Sequence, residues 1–182
     1  FDVRLTPPRG LRVLATGSEV TAGHWRARAV RSFAMAVGAF DVVRTVVRAP
    51  DPIAVVVGIE HGSLTPIQPF VDETRRSLRF YAQRYGGYPW PTYSLVVSGD
   101  HTSLAGTAFS TIGFVGDSSA ILIPHETAHQ WFQELVGNNQ SRDPWVSEGL
   151  ASWAETGPLQ TLGAFLGDSI PTDVRNRIGE PM

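Results

Sequence analysis

Two histidines separated by three residues are the feature of this sequence that points most directly to chemistry. Residues 125–129 read His-Glu-Thr-Ala-His. Residues four positions apart in an α-helix lie one above the other, so His125 and His129 can both reach one metal ion. Glu126 lies about a quarter-turn further round the helix, beside such an ion rather than on it. A general base that takes a proton from an attacking water molecule is needed at that place.

A third ligand has to come from elsewhere, because a catalytic zinc ion needs three protein ligands and one open position. The chain has no cysteine, so imidazole and carboxylate are the available donors. Glu148 is the predicted ligand, since eighteen residues separate it from His129, enough to end one helix and begin another. A His-Glu-x-x-His motif alone also occurs by chance on ordinary helices, but the spacing of Glu148 favours a metal site. We predict one Zn²⁺ per chain, bound by His125, His129 and Glu148, with Glu126 as the catalytic base.

Glu155 is a candidate partner of these ligands. It lies seven residues after Glu148 and therefore on the same face of a helix. Its carboxylate can accept a hydrogen bond from the free ring nitrogen of His125 or His129 and fix the tautomer. A solvated glutamate near a helix end explains this position equally well. The remaining three histidines lack such a context and are predicted to be surface or packing residues: His24, His61 and His101.

The elements that position these residues change in character near Gly62. Before it, short β-branched and alternating runs between prolines and glycines predict several strands, the last over residues 53–59. After it, the apolar spacing predicts a helix over 70–85, ended by two glycines. Strands are then predicted over 93–97 and 109–115.

Two further helices are predicted to carry the metal ligands. The first runs to about residue 136, and its regular part is expected to begin at Pro124, because proline suits a first turn. The second covers about 145–155 and is expected to end at Gly157-Pro158.

Composition excludes some classes of partner. The 182 residues have a formal net charge of −2, which argues against nucleic acid or an anionic membrane surface. The longest apolar run, at 53–59, is far shorter than the roughly 20 residues that span a bilayer. We therefore expect a soluble protein. We also expect a fragment, since the chain begins at Phe1 without an initiator methionine. Its cytoplasmic or secreted location and its oligomeric state stay open.

Four segments around the motif are recognisable together. They are His-Glu-Thr-Ala-His-Gln-Trp-Phe at 125–132, Leu-Val-Gly-Asn at 135–138, Arg-Asp-Pro-Trp at 142–145 and Glu-Gly-Leu-Ala-Ser at 148–152. They resemble the aminopeptidase N family of zinc metallopeptidases, which are gluzincins because their third ligand is a glutamate. The resemblance implies hydrolysis of peptide substrates.

The resemblance also implies an α+β fold in two parts. Residues 1–60 would be the end of an N-terminal β-sandwich-like domain. Residues 61–182 would form a thermolysin-like zincin catalytic core, a mixed sheet plus helices, incomplete at its C-terminal side.

Two positions depart from the family pattern. Members carry Gly-x-Met-Glu-Asn on the strand that lines the substrate, and its glutamate binds the free α-amino group. The matching stretch here is Ala-Gly-Thr-Ala-Phe at 105–109, which places Ala108 at the glutamate. The family also uses a downstream tyrosine to stabilise the oxyanion, and no tyrosine follows Tyr93. We therefore expect no strict requirement for a free N-terminus, unless Glu134 or a carboxylate outside this chain takes over.

Two other functions are compatible with the predicted zinc site. A non-catalytic, zinc-stabilised zincin-like module would account for the missing amine anchor, although a structural site has no use for Glu126. A zinc hydrolase of non-peptide substrates, such as an epoxide, is the other alternative, and no residue favours it.

Overall fold

A five-stranded mixed sheet with helices on one face forms the centre of the molecule. The computed structural model describes residues 1–99, 106–117 and 119–166, with side chains as far as residue 158. The strands are Asp2–Arg4 (β1), Arg12–Ala15 (β2), Ser18–Thr21 (β3), His24–Arg26 (β4), Met35–Gly38 (β5), Phe40–Arg48 (β6), Pro52–Glu60 (β7), Thr92–Ser98 (β8), Gly106–Phe109 (β9) and Ile112–Gly116 (β10). The α-helices are Gln68–Tyr85 (α1), Ile123–Ala128 (α2) and Pro144–Leu166 (α3). The predicted α+β class, with a mixed sheet plus helices, is confirmed.

The order of strands in the large sheet is β6-β7-β8-β10-β9. The two outer pairs are antiparallel, and the pairs that β8 makes with β7 and β10 are parallel. Alternate residues of β7 are buried against the helices, and Val56 between them faces the two-stranded sheet of β2 and β5. This alternation is expected of a strand whose two faces meet different layers. β9 is left as an edge strand.

The predicted boundary at residue 60 divides this sheet. β7 pairs with β8 in parallel, with Val57 opposite Leu95. Residues 40–60 therefore share one sheet with strands of the 61–182 segment. A β-branched run does not reveal its partner strand, because its side chains fit a pleated surface in either sheet. The preceding strands form two small sheets, ordered β1-β4-β3 and β2-β5.

Hydrogen bonds from aromatic side chains fix the ends of α2. The Tyr81 hydroxyl of α1 donates to the Pro124 carbonyl oxygen over 2.8 Å. The Trp131 indole donates to the Gly86 carbonyl oxygen over 2.9 Å. Both rings are buried, so these bonds lie in a low-dielectric environment where an unmade bond is costly. The motif helix is thus held against α1 at its beginning and just beyond its end.

The predicted strand over 109–115 is instead two strands joined by a turn. Phe109 pairs with Ile112, and Ser110 and Thr111 form the connection. Thr111 has a φ of 63°, which is rare for a β-branched residue. A Ser-Thr pair carries none of the glycine or asparagine signals of a tight hairpin, so the sequence did not indicate this turn.

The helices also differ from their predicted lengths. The regular helix does begin next to Pro124, but the α-helical part ends at Ala128. A wider π-type turn, Gln130–Leu135, follows with non-helical angles inside it. α3 continues through Gly157 and Pro158 to Leu166. A Cβ on Gly157 would lie 2.2 Å from Cζ of Phe80, so this glycine permits close packing on α1 and does not end the helix.

None of the helices in the described part of the chain has the length and apolar character needed to cross a bilayer.

Candidate metal centre

α2 and α3 bring the three predicted ligands together. The spacing of the histidines is preserved because His129 caps α2 with helical angles, φ −59° and ψ −18°. Its Nε2 lies 3.1 Å from Nε2 of His125. Glu148 arrives from the start of α3, and its Oε2 lies 3.3 Å from Nε2 of His125 and 3.5 Å from Nε2 of His129. In the described residues, these three form a group of donors that could hold one ion.

The distances between the donor atoms fit zinc. Tetrahedral coordination with bonds of about 2.0–2.1 Å places neighbouring ligand atoms about 3.3–3.4 Å apart. The three measured separations surround that value. Two imidazoles and one carboxylate also form a ligand set used by catalytic zinc sites. The residues present therefore fit a zinc ion with one position open to the neighbouring cavity.

Glu155 contacts the first histidine from the opposite side. Its Oε2 lies 2.8 Å from Nδ1 of His125. A neutral His125 that donates from Nδ1 presents the lone pair of Nε2 to the site. Burial lowers the pKa of His125, but the hydrogen bond and charge of Glu155, together with Glu126 and Glu148, outweigh it and raise that pKa above its ordinary value. Nδ1 of His129 faces the Phe132 carbonyl oxygen at 3.4 Å, which leaves its Nε2 for the site as well.

Glu126 lies beside the ligands and is almost completely buried, with 5% of its surface exposed. Burial raises the pKa of Glu126 to about 7, with His125 opposing the change and Glu148 and Glu155 adding to it. Strand β9 runs directly against this carboxylate. A Cβ on Gly106 would lie 2.3 Å from Oε1 of Glu126, so a side chain at this position would displace the carboxylate.

A cavity of about 420 Å³ opens onto the three ligands and Glu126. β9 forms one wall and includes Ala108, whose methyl group supplies no charge. Glu134 of the π-type turn also lines the cavity. The sequence analysis did not identify the other polar residues of the lining, which are Arg31, Ser32, Gln133, Asn138 and Gln140. They come from separate elements, and no spacing rule connects them with the motif.

The other histidines are placed away from this cavity. Nε2 of His24 lies 2.6 Å from Oδ1 of Asp2. His61 is exposed, and its Nδ1 lies 3.1 Å from the Asp41 carboxylate. His101 lies outside the described residues.

Replacing Glu155 with glutamine should weaken zinc binding about 10- to 100-fold, because an uncharged amide is a weaker acceptor for Nδ1–H of His125 than a carboxylate and fixes its tautomer less firmly. Competition with a chromophoric chelator measures the zinc dissociation constant. Glu19→Gln, an exposed carboxylate of β3, is the matched control and should leave the constant unchanged. Equal affinities of the wild type and Glu155→Gln would show that Glu155 is only a neighbour.

Comparison with known proteins also indicates a peptidase domain. The model of the peptidase family M1 domain matches residues 70–167, more than half of the chain. The chain belongs to this family, and the resemblance to the aminopeptidase N family is confirmed.

Three relatives show the extent of the similarity. Aminopeptidase Ey of Gallus gallus is 30% identical over 102 residues, covering 47% of this chain. Aminopeptidase N of Mus musculus is 34% identical over 94 residues, covering 43% of this chain. The chain spans 10% of the length of each of these relatives. The crystal structure of an M1 zinc metallopeptidase from Deinococcus radiodurans has the same fold, with a TM-score of 0.69 at 22% identity. That overlap covers 86% of this chain and 39% of the other.

Proposed function

We propose that this chain carries the catalytic centre of an aminopeptidase-like zinc metallopeptidase that hydrolyses peptide bonds. The observation that supports this most is the triangle of donor atoms from His125, His129 and Glu148, with the buried carboxylate of Glu126 beside it. The names of the relatives, aminopeptidases and a zinc metallopeptidase, agree with this chemistry.

The proposed roles follow from the positions of the side chains. His125, His129 and Glu148 hold the ion, and Glu155 orients His125. A bound zinc ion would supply a Lewis acid that polarises the scissile carbonyl and makes water easier to deprotonate. Glu126 takes the proton of the attacking water and passes it to the leaving amine.

Strand β9 is the proposed docking edge for the substrate backbone. An extended peptide adds to an exposed edge of a sheet through main-chain hydrogen bonds. β9 is the edge strand that lies against Glu126, because Gly106 allows the close approach. The edge is therefore Gly106–Phe109, and Ile112–Gly116 lies one strand further in.

The proposed architecture is that of the family. The mixed sheet with α1, α2 and α3 would correspond to a thermolysin-like core. The two small sheets of residues 1–38 would be the end of a β-sandwich-like domain.

A non-catalytic zinc module is the second candidate, favoured by the missing carboxylate at Ala108. Glu126 argues against it. Burial of a carboxylate is costly, and a purely structural site gains nothing from a carboxylate beside its ligands.

Metal removal tests the proposed function. Hydrolysis of a fluorogenic peptide panel should be lost after treatment with a chelator and restored by about one equivalent of Zn²⁺. Hydrolysis that persists without metal would show that the reaction does not use this centre. Bound zinc without hydrolysis of any peptide would favour the structural module, and an epoxide substrate in the same assay separates the third alternative.

A further inference from the structure

Glu134 is a buried carboxylate in the active-site cavity that the proposed reaction does not use. Only 6% of its surface is exposed, and it lines the same cavity as the three ligands and Glu126. It lies in the π-type turn, where its backbone N–H donates to the His129 carbonyl oxygen over 3.0 Å. The turn that shortens the motif helix therefore carries a carboxylate that lines the same cavity as the predicted ligands.

Neutral donors hold the Glu134 carboxylate. The Ser110 hydroxyl donates to Oε2, and the side-chain amide of Gln133 donates to Oε1 over 3.1 Å. Arg31 also lines the cavity, but its Nε donates to the main-chain oxygen of Glu134 over 2.9 Å. No arginine or histidine of the described residues forms an ion pair with the carboxylate.

The donor Ser110 is held in place by a strained turn. The next residue, Thr111, has a positive φ and makes three hydrogen bonds that maintain it. Its N–H donates to the Gln130 side chain over 2.8 Å, its Oγ1 accepts from Gly17 over 2.7 Å, and its carbonyl accepts from Ser94 over 2.9 Å. Backbone strain of this kind persists only where the surroundings enforce it, and it is common at binding sites.

Two further oxygen atoms of the cavity residues have no partner. Oγ of Ser32 and Oδ1 of Asn138 are buried without a hydrogen bond from the described residues. Unpaired buried polar atoms are uncommon in folded proteins. Together with Glu134, they add acceptor oxygens to the lining of the cavity. A group with several N–H donors and a positive charge complements these oxygens best.

We infer that Glu134 binds a cationic group of the substrate and so determines specificity. This rests on the proposed peptidase function. The cation is an ammonium or guanidinium group, which is the α-amino group of a free N-terminus or the side chain of lysine or arginine. The Gln133 amide donates both to Glu134 and to the Ala108 carbonyl oxygen over 3.2 Å. The carboxylate therefore lies beside the strand position at which the sequence lacks one.

Two pairs of substrates separate the sources of the cation. The first pair is leucine anilide and its N-acetyl derivative, and the second is a pair of N-acetyl peptides with lysine or norleucine. In the pair that carries the recognised cation, kcat/KM of the cationic member should be about 10- to 100-fold higher than that of its neutral partner, since charge-assisted hydrogen bonds are strong. Glu134→Gln should bring that ratio close to one and change the neutral member little. Glu134→Asp, which keeps the charge, should retain part of the preference, and Glu19→Gln should retain all of it.

Binding provides a readout that does not depend on turnover. Leucine amide and lysine side-chain analogues are titrated into the chain and into Glu134→Gln by NMR, with their N-acetyl and norleucine counterparts. A preference of the wild type for one cationic ligand, lost in Glu134→Gln, supports the inference even if no peptide is hydrolysed. No preference in either pair, or a preference that Glu134→Gln leaves unchanged, overturns it. Thermal unfolding of both proteins shows whether the variant is folded.

Discussion

Glu126→Gln should keep the metal and lose the reaction. Glutamine has nearly the same shape but cannot accept the proton of the attacking water, so kcat should fall by roughly 10²- to 10⁴-fold or more. The zinc content should stay at the wild-type value, because Glu126 lies beside the ligand triangle and is not part of it. Single-turnover hydrolysis and metal analysis on the same preparation measure both quantities.

Glu148→Gln is the matched comparison for this prediction. It makes the same chemical change at a carboxylate whose Oε2 lies 3.3 Å and 3.5 Å from the two histidine nitrogens. It should lower both zinc content and hydrolysis. Loss of zinc in Glu126→Gln, or normal turnover with zinc present, would show that the two glutamates have been assigned the wrong roles.

The candidate ligand set could be predicted from the sequence because it depends on local helical spacing. Helical geometry brings His125 and His129 onto one face, and two helical turns bring Glu148 and Glu155 onto another. The structure places the His125 side chain in contact with those of His129, Glu148 and Glu155. The roles of these residues stay predictions until the variants are measured.

Strands and helices with strong patterns were predicted for the same reason. β7, α1 and β8 lie within two residues of the predicted 53–59, 70–85 and 93–97. The apolar spacing of α1 reflects burial of one helix face, and the apolar runs of β7 and β8 reflect burial on both faces of the sheet.

The environment of the site was harder to predict from the sequence, since it depends on contacts between distant segments. Thr111 adopts a positive φ because Gly17, Ser94 and Gln130 each bond to it, and no local signal predicts this. The π-type turn after His129 is of the same kind, because the amides of its glutamines bond to the carbonyl groups of β9. Glu134 therefore reaches the cavity through tertiary contacts. The edge position of β9 could not be read from its four residues alone.

The prediction with the largest effect on the metal concerns His129. The wild type should hold about one zinc ion per chain after gel filtration, and His129→Ala should hold almost none. The buried Nε2 of His129 completes a triangle, and His125 with Glu148 leaves only two ligands. A ligand that binds only the folded chain stabilises it by about 2.7 kcal/mol at a hundred times its dissociation constant. Zinc should therefore raise the unfolding temperature of the wild type and leave that of His129→Ala unchanged.

His61→Ala is the matched control, since this exposed histidine pairs with Asp41 away from the cavity. It should keep both the zinc and the thermal response, whereas equal zinc content in His129→Ala and the wild type would refute the ligand assignment.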